Sequence, residues 1–190
     1  SDGDTPLALD YNRDGVIRTA MQESKQKVWF DINGNGRQEL VEWVGASEAI
    51  LALDLNNNGK IDSGRELFGN ATYFTGTANT ADNGFIALAQ YDENRDGLIS
   101  AKDRIFPKLK LWQDKNANGI SEPSELKDLM KTSIVKINVT YAKARIRTGA
   151  ASEIRQVATY SLSNGKTYLI GDIHFYPQPE LAQFKVRKTN

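Results

Sequence analysis

Five segments of this 190-residue chain carry Asp and Asn side chains at a spacing that suits metal coordination. Each begins with an aspartate, has Asp or Asn at its third and fifth positions, and has glycine at its sixth. This is the ligand spacing of the EF-hand calcium loop, whose seventh residue contributes a backbone carbonyl. The sequence therefore predicts calcium sites in the segments that begin at Asp10, Asp31, Asp54, Asp92 and Asp114.

Two of these segments match the calcium loop through its last ligand position. Loop 4 (residues 92–103) ends at an aspartate, and loop 5 (residues 114–125) ends at a glutamate, the residue type that binds bidentately there. The predicted ligands are Asp92, Asn94, Asp96, Asp103 and the Leu98 carbonyl in loop 4, and Asp114, Asn116, Asn118, Glu125 and the Ile120 carbonyl in loop 5.

Loops 1 and 3 depart from the pattern at their closing end. Loop 1 (residues 10–21) has Met21 at its last position, so its remaining ligand must come from Glu23 or from a more distant acid. Loop 3 (residues 54–66) closes one position late, and Gly64 can absorb the extra residue. The predicted ligands are Asp10, Asn12, Asp14 and the Val16 carbonyl in loop 1, and Asp54, Asn56, Asn58, Glu66 and the Lys60 carbonyl in loop 3.

Loop 2 (residues 31–42) is predicted as a calcium-bearing turn in a β-hairpin. The residues that follow its glycines alternate in polarity as a strand does, so Glu39 and Glu42 compete for the closing position. The predicted ligands are Asp31, Asn33, Asn35, the Arg37 carbonyl and Glu42.

Composition narrows the range of functions. Lys and Arg number 24 and Asp and Glu 24, so no net charge favours nucleic acid or an anionic membrane. No apolar run reaches the length of a membrane span, and Ser1 to Asp4 is no signal peptide, which is typical of an excised soluble piece. With no cysteine and one histidine, disulfides, thiolate chemistry and a zinc site are disfavoured.

Hydrophobic patterning predicts one α+β module over residues 1–190, with EF-hand-like loops, short helices and antiparallel strands. We expect a strand-rich part with three loops at residues 1–69 and an EF-hand-like pair at residues 82–131. Residues 132–180 are predicted to form a β-hairpin region that turns at Asn164-Gly165, because Asn-Gly is a strong hairpin signal. Short helices are expected before and after loop 4 and after loop 5.

Several motifs resemble one bacterial family. TPLALDYNRDG, LDLNNNGKIDSGRELFG, NGFIALAQYDENRDGLISAKDRIF, LKLWQDKNANGISEPSEL and GDIHFY together resemble the calcium-dependent self-processing module of RTX (repeat-in-toxin) proteins, as in the iron-regulated RTX proteins of Neisseria. The resemblance covers nearly the whole chain. It implies that calcium folds the module, after which an Asp-Pro bond at its N-terminal edge is cut through the aspartate's own carboxylate. Water or a lysine amine then takes up the anhydride, and a lysine gives an isopeptide cross-link.

The N-terminal edge departs from that family pattern. The matching proline is Pro6, but Thr5 precedes it and Asp4 stands one place too early, so no Asp-Pro pair occurs in the chain. Thr5 has no carboxylate to form the anhydride. Asp4, Thr5 and Pro6 are therefore the candidates for any processing at this edge, and the resemblance alone does not predict an enzyme.

We therefore expect a calcium-binding module of a secreted or cell-surface bacterial RTX-like protein that folds on meeting extracellular calcium. Its expected partners are several calcium ions and the flanking domains of the same polypeptide, and it is expected to act as a monomer without nucleic acid. The alternatives are an autoproteolytic and cross-linking module and a calcium-regulated adhesion module.

Overall fold

The structure, a computed structural model, describes residues 3–176. These residues form mainly antiparallel β-strands, with two short α-helices, α1 (Ala20–Ser24) and α2 (Gly84–Ala89). Four 3₁₀ turns lie at Gly64–Glu66, Phe106–Lys108, Pro123–Glu125 and Leu129–Lys131. The strands are β1 (Leu7–Leu9), β2 (Val28–Phe30), β3 (Glu39–Val41), β4 (Ala49–Leu53), β5 (Leu98–Ser100), β6 (Leu109–Trp112), β7 (Leu126–Asp128), β8 (Ile134–Asn138), β9 (Ala142–Gly149), β10 (Ser152–Leu162) and β11 (Thr167–Phe175).

Nine strands make one curled antiparallel sheet. Their order is β5-β8-β10-β11-β1-β4-β6-β7, and β9 pairs with the part of β10 that β8 leaves uncovered. Strands β2 and β3 form a separate hairpin. Loops 1, 3 and 5 follow the adjacent strands β1, β4 and β6, so the sheet fixes where three of the predicted sites begin.

The predicted α+β fold with an EF-hand-like helix pair over residues 82–131 is wrong. Of the expected flanking helices, only α2 forms, immediately before loop 4. After loop 4 the chain makes a short 3₁₀ turn and enters β6. Pro107 lacks the N–H that a continuing helix needs, and Leu109 and Leu111, two residues apart, are both buried as strand residues are.

Loop 5 joins two strands instead of two helices. Pro123 begins a 3₁₀ turn at the end of the loop, and β7 then pairs with β6 in the register Lys110↔Asp128 and Trp112↔Leu126. Loop 2 likewise joins β2 and β3, so the hairpin predicted there is present. The calcium-loop pattern of loops 2 and 5 thus lies on connections between paired strands.

The sheet separates two hydrophobic cores. Leu7 and Leu9 face one core while Ala8 faces the other, because alternate strand residues point to opposite faces. The first core also contains Leu51, Phe85, Leu109 and Tyr160. The second contains Phe30, Trp43, Ile61, Trp112 and Ile173. A strand buried on both faces reads as a continuous apolar run, as residues 7–9 do.

The C-terminal hairpin turns where the sequence predicts. β10 and β11 pair along most of their length, and Gly165 adopts a positive φ of 85° in the turn between them. Residues 177–180 of the predicted hairpin region lie outside the described residues. No helix among residues 3–176 is long and apolar enough to cross a membrane.

Asp172 on β11 is a fully buried acid beside the N-terminal strand. Its Oδ2 accepts a hydrogen bond from the Gly84 amide at 2.7 Å and lies 3.8 Å from His174 Nε2. Burial raises the pKa of Asp172 to about 8, although the Gly84 amide and the Thr5 side chain act in the opposite direction. Because burial disfavours the charged form, this side chain is a neutral carboxylic acid at pH 7.

This burial predicts that Asp172 lowers stability as the pH rises. An unfolded Asp titrates near pH 4 and the folded one near 8, so between these values the unfolded state binds fewer protons. Wild type should therefore lose stability relative to Asp172→Asn from about pH 4 to about pH 8, by at most about 6 kcal/mol. Denaturant unfolding at fixed calcium and several pH values measures the difference.

Asp82→Asn is the matched control, since Asp82 is exposed and lies close to Gly84 in the chain. Its pH profile should follow that of wild type. A constant stability difference between wild type and Asp172→Asn across the range would contradict the expectation.

Candidate metal sites

All five loops adopt one backbone conformation. The fourth residue of each has a positive φ, and so does the glycine at the sixth position. The fourth residues are Arg13 (61°), Gly34 (69°), Asn57 (54°), Arg95 (55°) and Ala117 (51°), and the sixth are Gly15 (88°), Gly36 (88°), Gly59 (76°), Gly97 (81°) and Gly119 (72°). The left-handed region disfavours residues with a Cβ, so its recurrence, at Ala117 among others, marks a shared architecture.

The first aspartate of each loop organises its backbone amides. In loop 5, Asp114 Oδ1 accepts from the Asn118 amide at 3.2 Å and Oδ2 from the Gly119 amide at 2.8 Å. Asp10, Asp31 and Asp54 make the equivalent pair of bonds in their loops. These bonds hold the backbone of the turn against the first aspartate of the loop.

The closing acids of loops 3, 4 and 5 repeat one arrangement. Each accepts the amides of the second and ninth residues of its loop. For Glu125 the distances are 2.7 Å to the Lys115 nitrogen and 3.3 Å to the Glu122 nitrogen. Glu66 makes the same contacts although it lies one residue later, so the expansion of loop 3 leaves its closing acid in place.

The acid at the closing end of loop 1 is Glu48, the residue immediately before β4. Glu48 is fully buried, and its Oε2 accepts from the amide of Arg18, the ninth residue of loop 1, at 3.1 Å. This is half of the arrangement that closes loops 3, 4 and 5. Burial, together with the charges of Asp10 and Asp14, raises the pKa of Glu48 to about 8, although the hydrogen bond from the Arg18 amide acts in the opposite direction. The sequence signal was a lone acid immediately before an apolar strand.

Of the two glutamates that compete for the closing position of loop 2, the earlier one, Glu39, contacts the loop. Glu39 Oε1 accepts from the Asn33 side chain at 2.9 Å. The structure turns Glu42 away from the loop, where it accepts from the Ala151 amide and the Ser152 hydroxyl, each at 2.8 Å. Glu42 thus braces the turn between β9 and β10 and does not lie with the other predicted ligands of loop 2.

Loop 5 gathers the densest set of carboxylates. Asp114, Glu122 and Glu125 each offer an oxygen, and these three atoms lie within 4.8 Å of one another. Glu122, at the ninth position, is absent from the predicted ligand set. A hydrogen bond from Glu125 lowers the pKa of Glu122 to about 2, while burial raises the pKa of Glu125. The pKa values of the two glutamates are therefore shifted in opposite directions.

Unsatisfied oxygens test whether a cation fits these loops. Among the described residues, three buried side-chain oxygens lack a hydrogen-bond partner, namely Asp92 Oδ1, Glu122 Oε2 and Asp172 Oδ1. Two of the three lie in loops 4 and 5. Buried polar atoms are rarely left unpaired, and carboxylate, amide and carbonyl oxygens are the ligands of Ca²⁺. The residues therefore fit a hard divalent cation.

Two buried tryptophans contact the carboxylates of loop 5. Trp43 Nε1 donates to Asp114 Oδ2 at 2.7 Å, and Trp112 Nε1 donates to Glu125 Oε1 at 3.4 Å. Their ring centroids are 5.4 Å apart in an edge-on arrangement. A change in the charge or position of either carboxylate would therefore act on indole emission.

The N-terminal edge is held inside the fold. Thr5 is fully buried, its amide donates to Asn70 Oδ1 at 3.3 Å, and its Oγ1 accepts from the Asn70 amide at 3.2 Å. The Pro6 carbonyl accepts from the Ile173 amide at 3.1 Å, and Asp4 forms a bridge to Phe175. The structure thus places Asp4, Thr5 and Pro6 along the sheet, with Thr5 beside Asp172.

These loops on an antiparallel sheet define an SPM domain. The family model of that name matches residues 7–176, so the chain belongs to the SPM domain family. Iron-regulated protein FrpA of Neisseria meningitidis serogroup C is 36% identical over 168 residues, which make up 88% of this chain and 15% of that protein. This similarity supports the predicted relationship to the iron-regulated RTX proteins. The chain corresponds to one domain-sized part of that longer relative.

The raised pKa values of buried loop acids predict that calcium displaces protons. Burial raises the pKa of Glu48 to about 8 and that of Glu66 to about 7, so both are partly protonated near pH 7. A bound cation favours the carboxylate, so binding should release protons, and apparent affinity should fall as the pH falls from about 8 to about 6. Calorimetric titration in two buffers with different ionisation heats counts the protons.

The Glu48→Gln variant removes one of these acids and should release fewer protons than wild type at pH 7. Equal heats in both buffers, for wild type and variant alike, would show that the loops are already ionised without the metal.

Proposed function

We propose that the chain is a multi-site calcium-binding module that completes its folding when calcium fills its loops. The observation that carries this proposal is the pair of orphaned carboxylate oxygens, Asp92 Oδ1 and Glu122 Oε2, buried in loops of calcium-loop spacing. Loops 3, 4 and 5 have complete sets of oxygen ligands. Glu48 completes loop 1, Glu39 takes the closing place in loop 2, and Glu122 adds to loop 5.

Electrostatic repulsion between the loop carboxylates explains why bound ions would stabilise the folded state. Two carboxylates about 4 Å apart repel by about 4 kcal/mol at an effective dielectric constant near 20. A cation removes this repulsion and the need to hold a proton. At about 100 times its dissociation constant, each ion adds about 2.7 kcal/mol to the folded state. Two or three sites therefore match the total stability of an ordinary domain, about 5–15 kcal/mol.

The proposed setting is the outside of a bacterial cell, within a longer secreted RTX-like polypeptide. Asn in place of Asp at many ligand positions reduces the charge of each loop, which favours weak sites suited to millimolar calcium. A chain without cysteine has no disulfides, so bound ions would supply the cross-links. Folding only outside the cell would let calcium position the flanking domains after export.

Calcium removal is the first test of this proposal. In a chelator, the buried Trp43 and Trp112 should lose their fixed environment because loop 5 no longer holds its carboxylates together. Near-UV circular dichroism should fall reversibly in chelator and return with millimolar calcium. Glu125→Gln should need at least tenfold more calcium for recovery, because it removes a closing acid.

Magnesium at the same concentration is the control, since it demands a smaller octahedral site and gives up its water reluctantly. It should restore little of the signal. Near-UV spectra that are the same in chelator and in calcium would refute the proposed calcium-dependent folding.

Self-processing at the N-terminal edge is a second candidate function. The SPM match begins at Leu7, and the resemblance to the RTX module expects the scissile bond just before it, between residue 5 and Pro6. The neutral Asp172 carboxylic acid contacts the Thr5 side chain at this junction. With threonine at position 5, however, the internal carboxylate that the chemistry requires is missing.

A single substitution tests this second candidate. Thr5→Asp supplies a carboxylate that can attack its own carbonyl, expel the Pro6 nitrogen and leave an anhydride for water to open. We expect this variant to lose residues 1–5 in calcium but not in chelator, as measured by intact mass. Thr5→Ala is the matched control and should stay whole. An intact Thr5→Asp chain after prolonged incubation in calcium would exclude self-processing at this edge.

A further inference from the structure

One serine hydroxyl joins loop 3 to loop 5. Ser121 Oγ accepts a hydrogen bond from the Ile61 amide at 2.8 Å and donates one to the Ile61 carbonyl at 3.2 Å. Ser121 is 6% exposed and Ile61 1%, so water does not compete for either bond. Each residue is the eighth of its own loop. A single side chain therefore satisfies both backbone groups of a residue 60 positions away.

The eighth position lies next to groups that close each loop. In loop 3 the following amide, that of Asp62, donates to Glu66 Oε1 at 3.2 Å. In loop 5 the following amide, that of Glu122, donates to Glu125 Oε1 at 3.3 Å. A shift of either eighth residue therefore moves the closing acid of its loop, and the hydroxyl transmits that shift to the other loop.

The Ile61 side chain gives the connection a second contact. It packs in the same hydrophobic core as Trp112 and Ala117, which flank and form part of loop 5. Loop 4 is arranged differently, because its eighth residue, Ile99, pairs with Ile137 of β8 and not with another loop. The bond between the eighth residues of loops 3 and 5 therefore has no counterpart in loop 4.

We infer that Ser121 couples calcium occupancy of loop 3 to that of loop 5, so that an ion in either loop raises the affinity of the other. This inference rests on the proposed calcium-binding function. An ion that fixes Glu66 in loop 3 holds Ile61 in place, and Ile61 then presents both of its backbone groups to Ser121. Coupling of this kind is reciprocal, so filling loop 5 favours loop 3 equally.

Tryptophan emission can report loop 5 separately, since Trp43 and Trp112 donate to its carboxylates. Glu66→Gln weakens loop 3, and in an otherwise unchanged chain it should raise the calcium midpoint of loop 5 by about fivefold or more. Asp103→Asn weakens loop 4 and measures the shift that general folding alone produces. We expect the Glu66→Gln shift to exceed the Asp103→Asn shift by at least threefold.

Repeating the Glu66→Gln comparison with Ser121→Ala tests the hydroxyl itself. The amount by which the Glu66→Gln shift exceeds the Asp103→Asn shift is the excess. It should disappear with Ser121→Ala and persist with Ser121→Thr, which retains a hydroxyl. Ser163→Ala is the matched control, because Ser163 is an exposed serine on the hairpin turn, and it should preserve the excess. The coupling would be overturned if the excess persists in Ser121→Ala. It would also be overturned if the excess is absent from the protein that retains Ser121.

Amide exchange keeps the inference testable if Ser121→Ala fails to fold. In calcium, hydrogen exchange of the Ile61 amide should be faster in Glu125→Gln than in wild type. The exchange rate of the Ile99 amide should change less. Equal changes at both amides would overturn the coupling. If calcium binds without coupling, tryptophan emission still responds to calcium in every variant. If the proposed calcium-binding function fails, no variant responds to calcium.

Discussion

Carboxylates that are buried side by side are the constraint on which this structure depends. Asp114, Glu122 and Glu125 place oxygens within 4.8 Å of one another, and Glu48 lies fully buried near Asp10. Such groups require protons, hydrogen bonds or cations to stay in a folded interior. Backbone amides satisfy most of these oxygens, but not all of them. We propose that a divalent ion satisfies the remaining oxygens.

The antiparallel sheet and the β2–β3 hairpin give four of the five loops their frame. Loops 1, 3 and 5 follow adjacent strands whose residues are packed on both faces, and β2 and β3 hold loop 2. The two orphaned loop oxygens lie where the backbone is fixed by positive φ values at the fourth and sixth residues. In the proposed calcium-binding module, the sheet and the β2–β3 hairpin position loops 1, 2, 3 and 5, and the closing acids would set the calcium affinity.

The sequence predicts the turn of each loop well, because glycine at the sixth position suits the positive φ that all five loops share there. The ligand roles of the loop residues stay predictions. The sequence predicts Glu48 and Glu122 poorly for different reasons. Glu48 reaches loop 1 only through tertiary packing, and Glu122 occupies a position where calcium loops vary. Glu42 fits the spacing, yet strand β3 ends before it and its carboxylate turns to the Ser152 hydroxyl.

The prediction of helices around the loops was the part of the fold in which the local sequence pattern was misleading. A calcium-loop spacing implies flanking helices by analogy, but Pro107 and the buried pair Leu109 and Leu111 favour a strand. The hairpin at Asn164-Gly165 could be predicted because its turn chemistry is local. The nine-stranded order could not be, since it joins β1 to β11 and β4, which are far apart in the chain.

Anomalous diffraction from crystals grown in millimolar calcium tests the central claim most directly. The account predicts an ion in loop 4 beside Asp92 and one in loop 5 among Asp114, Glu122 and Glu125, each with about six to eight oxygens at about 2.3–2.6 Å. Loops 4 and 5 that contain only water, with their carboxylates still buried and close together, would contradict it.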